Sequence, residues 1–388
     1  MKSSASLRFV HAGNFDLGRT IAHLDAIPGR LRDTLLDAPW AAATNVFQTA
    51  LEHEVDFVLL TGSLIEPGPL SVRAWQLLNR QFECLSRAGI SVYCAQTTPP
   101  APPAWSALPH GVHFLRPGSD ASVSGHRNST AARIVVSDGS GNWKIPPLSR
   151  PEMNGRTLTI AVSDDPDSTS FEMPNCADFV AVPSWKQAET RCIGRSVLCG
   201  SGSPQALGPG AQIPGGCWLV EPGAEGRLHT SRVQCDTVQW HSETVTIQNS
   251  RDAEALESTL VDRTDRILRA AGGRHVLIQW TIAGNVGVIC RDVFSEKRQR
   301  IIDCLRDRFT RSSQIAWTIN LEASWESEVF HPESASDALL REFLTLVNTI
   351  PLPTGTDIHA PALDEQKLRD DIARTGVEML LSAGPAAA

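Results

Sequence analysis

Cysteines and histidines are the residues in this chain with the most obvious chemical potential, and their spacing argues against most uses. Nine cysteines are scattered along the sequence with no Cys-x-x-Cys pair to hold zinc or to cycle through a disulfide. Cys94, Cys199, Cys217 and Cys290 stand in apolar runs, which predicts buried free thiols and a reducing, cytoplasmic compartment. His53, His110, His113, His126 and His229 show no ligand spacing. His11 ends an apolar run and reads as a packed strand-end residue. The glycine-rich stretch 200–216 has no lysine of the phosphate-cradling kind and reads as turns between strands. Trp75, Trp105, Trp143, Trp218, Trp240 and Trp280 are not interleaved with basic residues, which predicts packing and not base stacking.

The elements that must position any site follow from the hydrophobic pattern. With 388 residues, 41% apolar and 20% charged, the chain has the composition of a globular protein of two or three domains. The formal charge of −8 excludes a broadly basic nucleic-acid surface, though not a local patch. The polar first six residues and the absence of about 18 consecutive apolar residues predict neither a secretion signal nor a membrane span. Strands are expected at 7–11, 57–60 and 90–95, separated by helices at 38–54 and 69–88. That spacing indicates βαβ units and a parallel sheet, with ligand-binding loops at its carboxyl edge (12–18, 61–68 and 96–103). Short strands at 112–115, 132–136, 158–162, 179–182, 196–199 and 217–220 predict the second sheet of a sandwich. A continuous β alternation follows at 232–247. A smaller α+β unit then runs helix 252–271, strand 275–282, helix 295–310 and strand 314–321. A helix at 337–347, a Pro-rich break at 351–361 and a last helix at 364–382 complete the chain.

The ordered blocks of sequence are similar to those of a known family, the calcineurin-like metallophosphoesterases, and specifically the SbcD and YhaO-like DNA repair exonucleases. His11-Ala12-Gly13-Asn14-Phe15-Asp16-Leu17-Gly18 resembles the motif HAADLHLG. The run from Val55 through Thr61-Gly62-Ser63-Leu64 to Glu66 resembles VDFVLIAGDLFD. Residues 88–93 resemble the approach to GNHD, 178–182 the strand before GHxH, and Gly202-Ser203-Pro204-Gln205 the GSPQ turn. Residues 216–221 resemble the strand after that turn, and 236–240 the linker into the family's capping domain. The resemblance implies an α/β/β/α two-sheet metallophosphoesterase sandwich over 6–245, an α+β capping domain over 250–330 and a helical tail over 331–388.

In that family two manganese ions clamp the attacking and leaving oxygens of a phosphodiester, held by carboxylates, imidazoles and an amide beside a proton-donating histidine. Carried over by position, the first aspartate is Asn14 and the following histidine is Asp16. The bridging aspartate is Ser63. GNHD becomes Thr97-Thr98-Pro99-Pro100, placing Thr98 at the amide ligand and Pro99 at the proton donor. A later histidine falls on Ser163 or Asp164, and GHxH reads Pro183-Ser184-Trp185-Lys186. Two carboxylates do not offset two divalent ions, and the Lys186 ammonium adds repulsion on the order of 4 kcal/mol at 4 Å and an effective dielectric near 20. An ion pair of Lys186 with Asp16 or Asp164 is the expected filling, and no cofactor is expected. Glu66, and Arg30 and Arg32 in the loop after the first motif, read as surface.

Three functions compete on this reading. The chain is a non-catalytic scaffold for a coiled-coil ATPase of the SbcC/YhaN type, a metal-dependent phosphodiesterase with an unusual or single-metal site, or a DNA-binding remnant. The first is preferred because Leu339, Leu340, Phe343, Leu344 and Val347 line one face of the helix at 337–347, as helix-in-groove docking requires, and relatives hold their ATPase near this point.

Overall fold

The computed structural model describes residues 7–21, 27, 29–66, 71–95, 108–124, 131–138, 157–163, 177–183, 190–209, 214–223, 227–247, 255–284, 288–325, 338–350, 369, 372, 373 and 376. The expected Pro-rich break and nearly all of the expected last helix lie outside the described residues, as do Thr98, Pro99, Asp164, Ser184 and Lys186.

Alternation of period two builds the first sheet. In β1 (Phe9–Gly13), Phe9 and its neighbours β2 (Phe57–Thr61) and β3 (Ser91–Ala95) send Phe57, Leu59 and Tyr93 to one face. Val10, Ala12, Val58, Leu60 and Val92 go to the other. Both faces are buried, as parallel strands flanked by crossovers require. Between these strands run α1 (Gly29–Glu52) and α2 (Ser71–Arg87). α2 buries Ala74, Leu78, Phe82 and Leu85 at helical spacing against the sheet. α1 starts nine residues before the expected 38 and carries Pro39 in its interior. Leu31 and Leu35 are fully buried on that added length. Burial of each leucine contributes about 1.5–3 kcal/mol, enough to offset the roughly 3 kcal/mol cost of an interior proline.

β4 (Val112–Leu115) and β11 (Gly216–Pro222) were expected in the second sheet and belong to the first. β4 pairs parallel to β3, and β11 pairs antiparallel to β1. The first sheet therefore has the order β12-β11-β1-β2-β3-β4, with β12 at Leu228–Gln234. Short apolar runs declare a strand but not its neighbour, which is decided by non-local pairing. The second sheet has the order β5-β6-β7-β8-β10-β9. Its strands are β5 (Asp120–Ser124), β6 (Ala131–Val136), β7 (Leu158–Val162), β8 (Phe179–Val182), β9 (Thr190–Ile193) and β10 (Ser196–Gly200). Its four inner strands are parallel, with antiparallel β5 and β9 at the edges. Side chains of both sheets meet in one core, where Phe9 stacks on Phe57 at 4.7 Å and meets Phe179 edge-on at 5.2 Å. The fold is an α/β sandwich of two mixed sheets.

The expected single alternation at 232–247 is two strands. β12 ends at Gln234, and β13 (Val238–Thr246) starts a three-stranded sheet, β13-β14-β15, with β14 at His275–Gly284 and β15 at Ala316–Trp325. Three helices complete the described elements: α3 (Leu256–Ala270), α4 (Val288–Phe309) and α5 (Ala338–Thr349). The chain divides into two compact units. One comprises Met1–His241, Arg266–Ile278 and Thr310–Ile319, and the other Ser242–Asp265, Gln279–Phe309 and Asn320–Ala388.

Candidate functional site

Four strands, β1, β2, β8 and β10, bring their carboxyl ends together, and the residues just past those ends make the candidate site. Asn14 and Asp16 follow β1 with positive φ of 49° and 43°, a conformation that short amide and carboxylate side chains tolerate. The Asn14 N–H donates to the Thr61 carbonyl (3.2 Å), continuing the β1–β2 ladder by one bond. The Asn14 side-chain amide donates to the Pro183 carbonyl at 2.6 Å, joining the end of the first sheet to the end of β8 in the second. Ser201, fully buried past β10, donates its hydroxyl to the same Pro183 carbonyl at 2.8 Å. Ser203 donates to the Asn14 backbone carbonyl at 2.9 Å. Gly62, at φ 68°, is required here because a Cβ would run into Asn14 Oδ1 and the Pro183 ring.

The side chains that make these bonds, Asn14, Ser201 and Ser203, are neutral. The Pro183 carbonyl accepts from two side chains, and the Asn14 amide nitrogen is committed to it. Below the cluster, His11 is wholly buried, with Nε2 3.1 Å from Thr61 Oγ1 and its ring edge-on to Phe179 at 5.7 Å. Burial first, and the Arg232 charge second, lower its pKa to about 3, so it is a neutral imidazole at ordinary pH. This packing agrees with the role read for His11 from the sequence.

Asp16 is half-buried; its N–H donates to the Ser63 carbonyl at 3.3 Å, and the Ser63 side chain is exposed. Ser163 is buried past β7 and its N–H donates to the Ala181 carbonyl. Glu66 is exposed. Arg30 and Arg32, expected in a loop, lie within α1. Thus Asn14 meets Pro183, the residue before the expected ligand position Ser184, whereas the Ser63 side chain is exposed. The expected ion pair of Lys186 lies outside the described residues. Among the described residues, no group of three or more histidine, cysteine, aspartate or glutamate side chains could hold a metal ion; Thr98, Asp164, Ser184 and Lys186, four of the positions the resemblance assigns to ligands, lie outside them.

Ser201 and Arg232 are residues of the candidate site that sequence reasoning missed. The Arg232 guanidinium donates to the Ser201 carbonyl at 2.7 Å and to the Pro214 carbonyl at 3.2 Å, and lies 5.1 Å from the centre of the Trp218 ring. An isolated arginine inside a β alternation is the signal that marks it. Gln205 of the GSPQ turn is buried and ties down the start of β13, donating to the Val238 carbonyl and accepting from the Thr237 N–H.

On the helix at the far end of the sequence, Leu344 and Val347 are buried, and Leu340 and Phe343 half-buried. The Phe343 ring lies against Gly376, where any Cβ would collide with it. Part of the stripe assigned to a partner therefore packs on the chain itself. Leu346 and Ile350 of the same segment are each 49% exposed. Leu339 belongs to α5, and its side chain is outside the described residues.

Fold and site together define a two-sheet α/β sandwich whose carboxyl edges are joined by neutral hydrogen bonds. No family model matches the sequence. Over 87 residues, 22% of this chain, it is 31% identical to the uncharacterized metallophosphoesterase YhaO of Bacillus subtilis (strain 168), a match spanning 21% of that protein's length. Among solved structures it is similar to GAP50, the anchor in the inner membrane complex of Plasmodium, at TM-score 0.36 and 12% identity, covering 60% of this chain and 85% of that one. It is also similar to wild-type Vps29 complexed with zinc from Entamoeba histolytica, at TM-score 0.26 and 13% identity, covering 59% and 100%. Neither structural likeness carries weight at such TM-scores. The relationship to metallophosphoesterases is one of sequence, over about a fifth of the chain. No described helix is long and apolar enough to cross a membrane.

Proposed function

We propose that this chain is a calcineurin-like metallophosphoesterase of the SbcD/YhaO-like DNA repair exonuclease kind that does not hydrolyse phosphodiesters. In this reading it is a non-catalytic scaffold for a coiled-coil ATPase of the SbcC/YhaN type, with DNA as a further possible partner. The observation that carries the first half is the Asn14 amide bonded to the Pro183 carbonyl. A two-metal site needs anionic ligands at this edge, and here an N–H donor points into it, with a second donor, Ser201, on the same carbonyl. The test is metal analysis of the purified chain together with a manganese-dependent exonuclease assay. The expected result is less than one equivalent of manganese and no hydrolysis. Two equivalents bound, with exonuclease activity abolished by Asp16→Ala, would overturn the reading in favour of an active phosphodiesterase.

The partner half of the proposal is supported by the exposed Leu346 and Ile350, one turn apart on the segment where the resemblance places the ATPase. Because Phe343 packs on Gly376, a substitution there would confound folding with docking. The cleaner variant is Leu346→Asp with Ile350→Asp, read in a pull-down with a coiled-coil ATPase of the stated type. Full binding by the folded double variant would remove this helix as the docking element.

A further inference from the structure

Two thiols meet on the helix-facing side of the first sheet, level with the carboxyl end of β1. Cys217 is the second residue of β11, and Cys235 is the first residue after β12. Their sulfurs are 3.6 Å apart and hydrogen-bonded, and both side chains are buried. The backbone of Cys235 is held on both sides: its N–H donates to the Gly215 carbonyl at 3.1 Å, and its carbonyl accepts from the Asn45 side chain of α1 at 2.8 Å. Arg232, three residues earlier, acts on both thiols through its charge, and the Thr49 hydroxyl is a further polar neighbour of each.

We propose that Cys217 and Cys235 are a reversible redox pair that closes to a disulfide when the protein meets a hydroperoxide. The sulfurs are already in contact at 3.6 Å, and a disulfide would close them to about 2.05 Å. The chemistry around them favours one thiolate. The hydrogen bond from Cys217 lowers the pKa of Cys235 despite burial, with Thr49 and Arg232 acting in the same direction. Cys217 is pushed well above the usual thiol value by the same hydrogen bond and by burial. In this proposal Cys235 attacks and Cys217, whose sulfur faces it, resolves. Its thiolate attacks one peroxide oxygen; the S–O bond forms, the O–O bond breaks, and the departing hydroxide takes a proton to become water. The product is a sulfenic acid on Cys235. Cys217 then loses its proton and attacks that sulfur, expelling a second water. Two thiols and one hydrogen peroxide give one disulfide and two waters, with sulfur oxidised and peroxide reduced. The other buried thiols described in the sandwich make a sharp contrast: burial alone raises Cys94, and it raises Cys199 against the pull of Arg232.

The bond would join the start of β11 to the link between β12 and β13, next to the buried Asp236. The test uses the reduced full chain, treated with hydrogen peroxide, quenched by alkylation in denaturant and mapped by non-reducing peptide mass spectrometry. The expected result is a linked peptide containing Cys217 and Cys235, reversed by a dithiol reductant, with free Cys235 lost at least about tenfold faster than Cys94 or Cys199. Cys217→Ser, which cannot close the bond, should leave a Cys235 sulfenic acid that dimedone captures; if that variant fails to fold, the wild-type map decides. Persistence of both thiols at peroxide levels that oxidise the exposed Cys192 would overturn the proposal. So would a linked peptide formed only after circular dichroism shows the fold to be lost.

Discussion

Two polar clusters in the sandwich unit solve the problem of burial in opposite ways. At the carboxyl edge, Asn14, Pro183, Ser201 and Ser203 are joined by neutral hydrogen bonds alone. At the start of the chain's third sheet, the fully buried Asp236 carboxyl is paired with Arg274 at 2.9 Å and accepts from the Gly215 N–H at 2.9 Å. Burial pushes the Asp236 carboxyl up from its ordinary value, against the pull of Arg274 and of Gly215. The first cluster lies where open α/β sheets place ligands, and the side chains that join it, Asn14, Ser201 and Ser203, are neutral. The second lies at a junction between strands and pairs a carboxyl with a guanidinium. Charge fixes the turn at the second cluster, whereas the side-chain bonds that join the two sheets at the first are amide and hydroxyl to carbonyl.

Removing the charged cluster should cost most. Asp236→Ala leaves the Arg274 guanidinium, three-quarters buried, without its carboxylate and the Gly215 N–H without an acceptor. Breaking one partner of a buried pair costs about 3–5 kcal/mol, and the partial exposure of Arg274 places the expected loss near the lower end. Urea unfolding of the variant measures it. A loss below about 1 kcal/mol would mean that the pair is screened and the contrast between the clusters is false.

His11, beneath the neutral cluster, gives a pH signature. Its folded pKa is depressed to about 3, against about 6.5 in an unfolded chain. Between those values the unfolded state binds one proton more than the folded state, so stability is full above pH 6.5 and falls as pH drops towards 3. The slope approaches about 1.4 kcal/mol per pH unit below 6.5, a loss of about 2.3 kcal/mol between pH 6.5 and 4.5. Unfolding curves across that range should show this excess slope, and His11→Gln, which keeps a polar side chain without a titration, should lose it. Equal slopes in the two proteins would show that His11 is protonated in the fold.

How much of this was legible in the sequence differs by cluster. β1, β2 and β3 could be placed because each is a short apolar run closed by a turn residue and separated by helix-length segments. The start of α1 could not, because Pro39 reads as a helix start until Leu31 and Leu35 are seen to be buried together. The sheet to which β4 and β11 belong was also hidden, since pairing such as Phe9 with Val220 joins residues more than two hundred apart. Asn14 and Pro183 were picked out through the family motifs. Ser201 lies in no such motif, and its role depends on the Pro183 carbonyl being turned towards it. The Asp236–Arg274 pair was invisible because the two residues lie in separate elements, brought together only where β12 gives way to β13.

The smallest effect is the one that discriminates best at the candidate site. Asn14→Asp replaces an N–H donor by an oxygen that faces the Pro183 carbonyl at the 2.6 Å now spanned by a hydrogen bond. Aspartate tolerates the positive φ of Asn14 about as well as asparagine does, so backbone strain contributes little to the difference. The loss is that of one buried hydrogen bond, with Pro183 still accepting from Ser201, and is expected near 1–2 kcal/mol at neutral pH. As pH falls through the ordinary carboxylate range, about 3.9, the side chain gains a proton it can donate to Pro183. The deficit relative to wild type should therefore shrink on acidification, while His11 destabilises both proteins alike. If the edge were a metal site lacking only its first carboxylate, the same substitution would instead gain stability on adding manganese. A manganese-dependent rise in the unfolding midpoint of Asn14→Asp, absent from wild type, would overturn the assignment of this edge as a neutral structural knot.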